Sequence, residues 1–331
     1  MKAWLIDELT GIDKLRLADV PEPIPGPGEV LLEVQYAGLN PADRYLAENQ
    51  YPLKPVLPHI LGRDGLGTVS GVGAGVTDVK PGQSYAILRS DAGGTRPGTF
   101  AEMVCIPVEN LVQIPIGWSG PEAAGATLVY LTAYQALTMW GPLPKGAVVL
   151  VTGASGGVGS ASVQLAVAMG CTVIAVSRSE AKGARLRELG AAHVFNPADP
   201  GWRQVAKKAA GRRVDLAIDN VGGKLLPEVI DTLGDQAKVS LPGRLAGPVP
   251  EFNTATLFFR RIRLGGVAVG AYTNAEARSA WVEVVGLLAR TGARPLVDRV
   301  FPFEQLPQAF EWLSRGPMGK VLLECSRQNA E

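Results

Sequence analysis

The residues best placed to do chemistry lie in Val148–Gly159, which reads VVLVTGASGGVG. An apolar run leads into Gly153, Gly156 and Gly159, and a helical pattern follows. Such a turn needs glycine where the backbone bends sharply and approaches a pyrophosphate, and again where helix and strand pack closely. The helix it opens offers N–H groups and a partial positive charge to an anion. Here the spacing follows a strand, opens a helix and precedes a second strand ending at Ser177, the context that gives it meaning. It points to a dinucleotide, with a purely structural glycine turn as the other reading. Gly153, Ser155, Gly156, Gly157, Val158 and Gly159 are the expected cofactor contacts.

The end of that second strand bears on which dinucleotide. An acid about 20 residues past the motif would bind the ribose 2′-hydroxyl of NAD. This chain has Ser177-Arg178-Ser179-Glu180-Ala181-Lys182 there, and Glu180, the nearest acid, comes too late. A hydroxyl and a guanidinium suit a 2′-phosphate, because arginine binds phosphate through two charge-assisted hydrogen bonds. Ser177, Arg178 and Lys182 are therefore expected to select NADPH. In the alternative, Arg178 and Lys182 are solvated residues at a helix start.

Other chemistries find little support. The chain has only two histidines, His59 and His193, and three widely separated cysteines, Cys105, Cys171 and Cys325, with no CxxC. With so few of these ligand types, a His-rich metal site is not expected. Too few cysteines for a disulfide framework suggest a reducing, cytoplasmic setting. The first residues, MKAW, carry no apolar signal region, so secretion is not expected. Lys and Arg number 32 against 31 Asp and Glu and are spread along the chain. That leaves no electrostatic footprint for nucleic acid or anionic membrane. With 47% hydrophobic and 19% charged residues, disorder is excluded as well.

Two long stretches, 123–144 and 146–177, carry no charge and have the length of a membrane span. The second is interrupted by its glycines. The first carries Gln135, Tyr130, Tyr134 and three threonines and ends in Pro142-Leu143-Pro144, which reads as a buried soluble helix rather than a span.

These residues need elements to hold them, and 331 residues suggest about two domains. The first hundred residues alternate short β-branched runs with Pro/Gly turns: Val30–Tyr36, Gly65–Val76, the turn Lys80-Pro81-Gly82, and Thr99–Ile106. That pattern predicts a barrel or sandwich. Pro121–Trp140 reads as helix. From Ala147 to about 270, six strands alternate with helices, which predicts βαβ units, a parallel sheet and a doubly wound nucleotide fold. A helix at Ala275–Arg290, a strand near 297–303, a helix near 305–314 and a strand at Lys320–Cys325 end the chain. This tail is expected to pack back on the first domain, giving a catalytic domain of 1–124 and 271–331 around a dinucleotide domain of 125–270.

Several motifs run along the chain: Asn40-Pro41-Ala42-Asp43, Gly62-Arg63-Asp64-Gly65, Gly98-Thr99-Phe100-Ala101-Glu102, Leu131-Thr132-Ala133-Tyr134, and Leu150 to Gln164 in the pattern LxxxASGGVGxxxxQ. With Met318-Gly319-Lys320-Val321 they make the chain resemble the medium-chain dehydrogenase/reductase superfamily, specifically its zinc-free quinone oxidoreductase (zeta-crystallin-like) branch. Ala147 and Val167 depart from the branch pattern, at positions that need not touch a cofactor. The resemblance implies an α/β protein with a Rossmann doubly wound parallel sheet, a GroES-like β-barrel catalytic domain, and an active site in the cleft between them. It also implies a homodimer joined through Rossmann sheet edges. Phe258–Arg263 precedes the last Rossmann strand and would either contribute to that edge or form an ordinary strand with solvated arginines.

For chemistry, the resemblance implies NADPH-dependent hydride transfer to a quinone, or to the C=C of an enone or enal. The superfamily's zinc-ligand positions hold Asn40 and Arg63-Asp64, and no cysteine follows Tyr85 in the stretch where a structural-zinc lobe would stand. Tyr51 matches the proposed proton donor of related enoyl-thioester reductases, and Tyr45 would line the same pocket. Asn49 stands where glycine is usual, and it tolerates the same left-handed backbone. Asn40 would touch the nicotinamide ribose or substrate, and Asp43 would hold the loop. Thr132, Asn220, Val221, Leu241, Gly243, Val267 and Lys320 complete the implied cofactor contacts. The rivals are an enoyl-thioester (CoA or ACP) reductase and an NADPH-binding protein with little catalysis, crystallin-like or RNA-binding.

Overall fold

The computed structural model describes residues 1–211, 214–247 and 252–325. It divides into two compact units. The first contains Met1–Leu128, Tyr272–Arg278 and the chain from Pro295 onward; the second contains Val129–Ala271 and Ser279–Arg294. The elements begin with β1 (Lys2–Ile6), β2 (Leu15–Asp19), β3 (Glu29–Gly38), α1 (Pro41–Ala47), β4 (His59–Ile60), β5 (Asp64–Val72), β6 (Ser84–Ile87), β7 (Met103–Pro107) and β8 (Leu111–Gln113). Then come α2 (Gly120–Ala124), α3 (Thr127–Thr138), β9 (Val148–Thr152), α4 (Gly157–Ala168), β10 (Thr172–Val176), α5 (Glu180–Glu188), β11 (His193–Phe195), α6 (Trp202–Ala209), β12 (Leu216–Asp219) and α7 (Leu225–Thr232). The chain closes with β13 (Lys238–Leu241), α8 (Ala255–Arg260), β14 (Arg263–Gly266), α9 (Asn274–Thr291), β15 (Val297–Pro302), α10 (Leu306–Ser314) and β16 (Lys320–Glu324).

In the first unit β3 is the central strand. Its alternation buries Val30, Leu32 and Val34 and leaves Glu33 exposed, the signature of a half-buried strand. The larger sheet runs β15-β16-β3-β5-β6-β8, with β7 also on β3, and a smaller one runs β2-β1-β4. The C-terminal strand β16 lies antiparallel to β3, with Leu322 opposite Gly38 and Leu323 opposite Ala37. The glycines of β5 mark close approach to β3. A Cβ on Gly67 would come within 2.6 Å of the Glu33 carbonyl, and one on Gly65 within 2.8 Å of the Tyr36 carbonyl. The register of the β3–β5 pair shifts twice alongside them, a bulged ladder. Phe100, fully buried, meets Phe310 edge-to-face at 5.9 Å.

In the second unit six strands lie parallel in the order β11-β10-β9-β12-β13-β14. Counted within the unit this is 3-2-1-4-5-6, the Rossmann order, with the switch in winding between β9 and β12. Strands covered on both faces read as unbroken apolar runs, and VVLVT is one: Val149, Leu150 and Val151 have no exposed surface. Among the described residues, no helix is long and apolar enough to cross a membrane.

Three details differ from the expectations. Pro121–Trp140 is two helices, because α2 closes at Gly125 and Thr127 turns its hydroxyl toward Asp64 and the Ile87 carbonyl. Phe258–Arg263 is not one strand. It begins in α8, which ends at Arg261 in the left-handed region (φ 53°), and only Arg263 enters β14. Ser279–Arg294, expected with the tail, falls in the second unit, where the Gln164 amide donates to the Arg294 carbonyl at 2.9 Å.

Replacing Phe100 with Ala should cost about 3–5 kcal/mol, seen as an early urea-unfolding midpoint. Val282→Ala, at a side chain 69% exposed, is the control and should stay within ~0.5 kcal/mol of the parent. Equal midpoints for the two variants would contradict the placement of the core.

Candidate functional site

The first constellation is built around the start of α1. Asn40 sits in extended backbone at the N-cap, Pro41 occupies the first turn, and the Asn40 N–H donates to Asp43 Oδ2 at 2.8 Å. The Asn40 side chain is held on both sides: its amide donates to the Gly38 carbonyl at 3.3 Å and its Oδ1 accepts from Lys320 at 2.7 Å. The Lys320 ammonium also donates to the Leu39 carbonyl at 3.0 Å and to Asp64 Oδ2 at 2.9 Å. An ammonium has three donors, and here all three meet protein oxygens. Lys320 is one of the expected cofactor contacts, and its three hydrogen bonds all go to oxygens of the first unit. The other Asp64 oxygen takes the Thr127 hydroxyl at 2.9 Å.

Asp43 is fully buried, with Oδ1 3.8 Å from Arg63 Nε and no hydrogen-bond partner. Burial pushes its carboxyl up to about 6, against the pull of Arg63, the Asn40 N–H and Lys320, while Asp64 pushes the same way as burial. The Arg63 side chain is 14% exposed. Its Nη1 donates to the Tyr51 hydroxyl at 3.2 Å, and its guanidinium carbon lies 4.3 Å from the Tyr51 ring centre. Arg63 Nε and Nη2 are buried without hydrogen-bond partners. Asn49 adopts the left-handed backbone anticipated for it, at φ 57°. Tyr45 lies half-buried on α1. Burial, and Arg63 after it, lower the pKa of His59, while a hydrogen bond with the Gly93 backbone raises it.

The donor set does not fit zinc. Asn40, Arg63 and Asp64 supply an amide, a guanidinium and a carboxylate already clasped by an ammonium, and two fixed cations repel a third. Among the described residues, no group of three or more His, Cys, Asp or Glu is arranged to hold a metal ion.

The second constellation lies at the C-terminal ends of the parallel strands. Gly153 turns at φ 55°, and a Cβ on Gly159 would stand 2.1 Å from the Gly153 carbonyl, so α4 packs against the turn only through glycine. A Cβ on Gly156 would meet nothing nearer than 3.5 Å, so space stays open above the turn. Gly156 caps α4 without a side chain, so no cap side chain occupies the first N–H groups, including those of Gly157 and Val158. Ser155 stands in the turn itself. Thr152 donates to Asp219 Oδ1 at 2.5 Å, and Asn220 donates through Nδ2 to the Thr152 carbonyl at 2.8 Å. These bonds tie the ends of β9 and β12 together and place Val221 against Gly153. Leu241 accepts from the Val267 N–H at 3.1 Å, and Gly243 lies against the Asn220 carbonyl. This cradle fits a pyrophosphate.

After β10, Ser177 is half-buried, Arg178 exposed and Lys182 half-buried, with Ser179 capping α5. Thr132 sits half-buried on α3. Gln164, part of the branch pattern, serves the fold: it accepts from the Tyr130 hydroxyl as well as donating to Arg294. Of the expected cofactor contacts in the second unit, those of the glycine turn, Ser177, Asn220 and Val221 follow the C-terminal ends of β9, β10 and β12, whereas Asn40, Tyr45, Tyr51 and Lys320 belong to the first unit. Sequence reasoning missed Arg63 as a partner of Tyr51. The available signal was charge: Asp43, Arg63, Asp64 and Lys320 are two acids and two bases in apolar surroundings.

The raised Asp43 pKa has a sign in stability. Between about pH 4 and 6 the native carboxyl holds a proton that the unfolded chain has released, so the native state binds more protons and stability falls as pH rises. Asp43→Asn removes that contribution. Its Tm relative to the parent should therefore improve from pH 4 to pH 7, with Arg63, Lys320 and Asp64 unchanged; a pH-independent difference would contradict the burial.

A GroES-like alcohol dehydrogenase family model matches residues 26–116, and a zinc-binding dehydrogenase model matches 157–290. A zinc-type alcohol dehydrogenase-like protein of Schizosaccharomyces pombe is 31% identical over 96% of this chain and 97% of its own. A quinone oxidoreductase of Sus scrofa is 29% identical over 98% and 97%. Among solved structures, an NAD-dependent alcohol dehydrogenase superposes with a TM-score of 0.91 at 29% identity, covering 98% of this chain and 99% of that one. A mycobacterial protein solved with NADPH gives 0.88 at 27%, covering 98% and 100%. With the Rossmann sheet, the GroES-like unit and the glycine cradle, these matches show that the chain belongs to the medium-chain dehydrogenase/reductase superfamily, in its quinone oxidoreductase branch.

Proposed function

We propose that this oxidoreductase uses NADPH, without a metal, to reduce a quinone or the C=C of an α,β-unsaturated carbonyl. The observation that carries the reading is the pairing of Tyr51 with Arg63 in the first unit: a phenol whose oxygen accepts from a guanidinium keeps its own proton free to donate. Bound NADPH supplies the hydride. The glycine turn and the first turn of α4 receive the pyrophosphate, and Arg178 with Ser177 and Lys182 receives the 2′-phosphate. Tyr51 delivers the proton that completes reduction: to an enolate after hydride reaches the β-carbon, or to a quinol oxygen. Tyr45 and Asn40 belong to the same substrate side.

The mycobacterial relative solved with NADPH and the pig quinone oxidoreductase support this reading. A homodimer in the cytoplasm completes it. In its support, β14 is an edge of the six-stranded sheet, and Phe258 and Phe259 stand 64% and 78% exposed on the helix before it.

The test is cofactor oxidation with a chelator present, with a benzoquinone, a short enone and an enoyl-thioester as acceptors and NADH in parallel. Chelator-resistant turnover with NADPH preferred over NADH is expected. Arg178→Ala should weaken NADPH binding about tenfold or more, the loss of a charge-assisted pair, and leave NADH almost untouched. Turnover abolished by the chelator, or equal losses for both cofactors, would contradict the reading.

A further inference from the structure

Arg63 is a half-buried arginine with an unusual set of partners. A guanidinium beside a buried carboxylate ordinarily closes to hydrogen-bond distance and satisfies both groups in a forked pair. Here the Nε–Oδ1 separation from Asp43 is 3.8 Å, and Asp43 Oδ1, Arg63 Nε and Arg63 Nη2 all lack hydrogen-bond partners. Instead the guanidinium faces Tyr51, 4.3 Å from its ring centre, with Nη1 donating to the hydroxyl at 3.2 Å. Asp43 is itself anchored, since its second oxygen takes the Asn40 N–H at the start of α1. The order is thus helix cap, carboxylate, guanidinium, phenol.

We propose that Arg63 is the positioning residue for proton delivery by Tyr51, and that Asp43 holds Arg63 in place without neutralising it at close range. The inference rests on the reductase reading above. In the step itself the Tyr51 O–H bond breaks, its proton goes to the acceptor, and the electron pair stays on the phenol oxygen. Arginine keeps its charge throughout, so a fixed cation 3.2 Å away balances the new negative charge. Water from solvent then returns a proton to the phenolate. Because Arg63 already donates to that oxygen, the hydroxyl proton is left for a different acceptor.

The experiment is a cycle of Arg63→Met, Tyr51→Phe and their double variant, with Arg63→Lys as the rescue, assayed with NADPH and whichever acceptor the parent reduces best. Each single variant should lower kcat by about 100-fold, the scale of general-acid catalysis. The double variant should be no slower than Tyr51→Phe alone, since Arg63 acts only through the phenol. Arg63→Lys should recover about tenfold of the loss, having the charge but not the fork. NADPH affinity, read by fluorescence, should stay within about twofold of the parent. In protein labelled at tyrosine Cζ, the resonance that Tyr51→Phe removes should shift in Arg63→Met. If Arg63→Met does not fold, the Arg63→Lys and Tyr51→Phe cycle makes the same comparison.

Losses that multiply in the double variant, a lysine no better than methionine, or an unmoved Tyr51 resonance would overturn the proposal while leaving the reductase reading intact. A parent protein idle with every acceptor would remove that reading, and the inference with it.

Discussion

The ammonium of Lys320 is buried among three oxygens, and a charge so far from water cannot stay there without them. Those oxygens come from the end of β3, the cap of α1 and the start of β5, and the lysine comes from β16, 280 residues after Asn40. One group therefore holds the last strand of the chain to the first helix and to the Gly62-Arg63-Asp64 segment. Gly125 approaches the same side chain closely: a Cβ there would meet Lys320 Cγ at 3.1 Å. The break between α2 and α3, the Thr127 hydroxyl on Asp64 and the antiparallel seating of β16 on β3 all serve this center.

The position of Tyr51 follows from it. With Asp64 committed to Lys320 and Thr127, Arg63 pairs with Asp43, which is already tied to the Asn40 N–H. The guanidinium is left to face a phenol. The second unit is organised by a different constraint, the exclusion of side chains. Gly153 and Gly159 let α4 pack onto the end of β9, while Thr152, Asp219 and Asn220 tie that end to β12. One unit thus sets a guanidinium against a phenol, and the other leaves backbone open at the glycine turn.

The second unit was legible because its signals are local. VVLVT and the three glycines lie within twelve consecutive residues, and the alternation of strands and helices is a periodicity that survives without knowledge of contacts. The left-handed Asn49 was legible from residue type at a position where glycine is usual, whereas α1 and its Asn40 cap were not read from the sequence. The charge center was not, since Lys320 meets Asp64 across 256 residues and Arg63 meets Tyr51 across a loop. The resemblance places Lys320 among the cofactor contacts and Arg63 at a zinc-ligand position, and neither assignment points to the partners the two side chains meet. Phe258–Arg263 does precede the last strand of the six-stranded sheet, but the ordinary strand offered as its alternative reading is a helix that turns at Arg261 before β14 begins.

The most direct test of the charge center is a double-mutant cycle on Lys320 and Asp64 in urea unfolding. Lys320→Met alone should cost about 3–5 kcal/mol, the penalty of leaving a buried carboxylate without its partner. Asp64→Asn should be destabilising as well. The double variant should cost about 1–3 kcal/mol less than the sum of the two, because removing both charges leaves neither stranded. Strictly additive costs would mean that the ammonium and the carboxylate do not depend on one another, and would contradict the account.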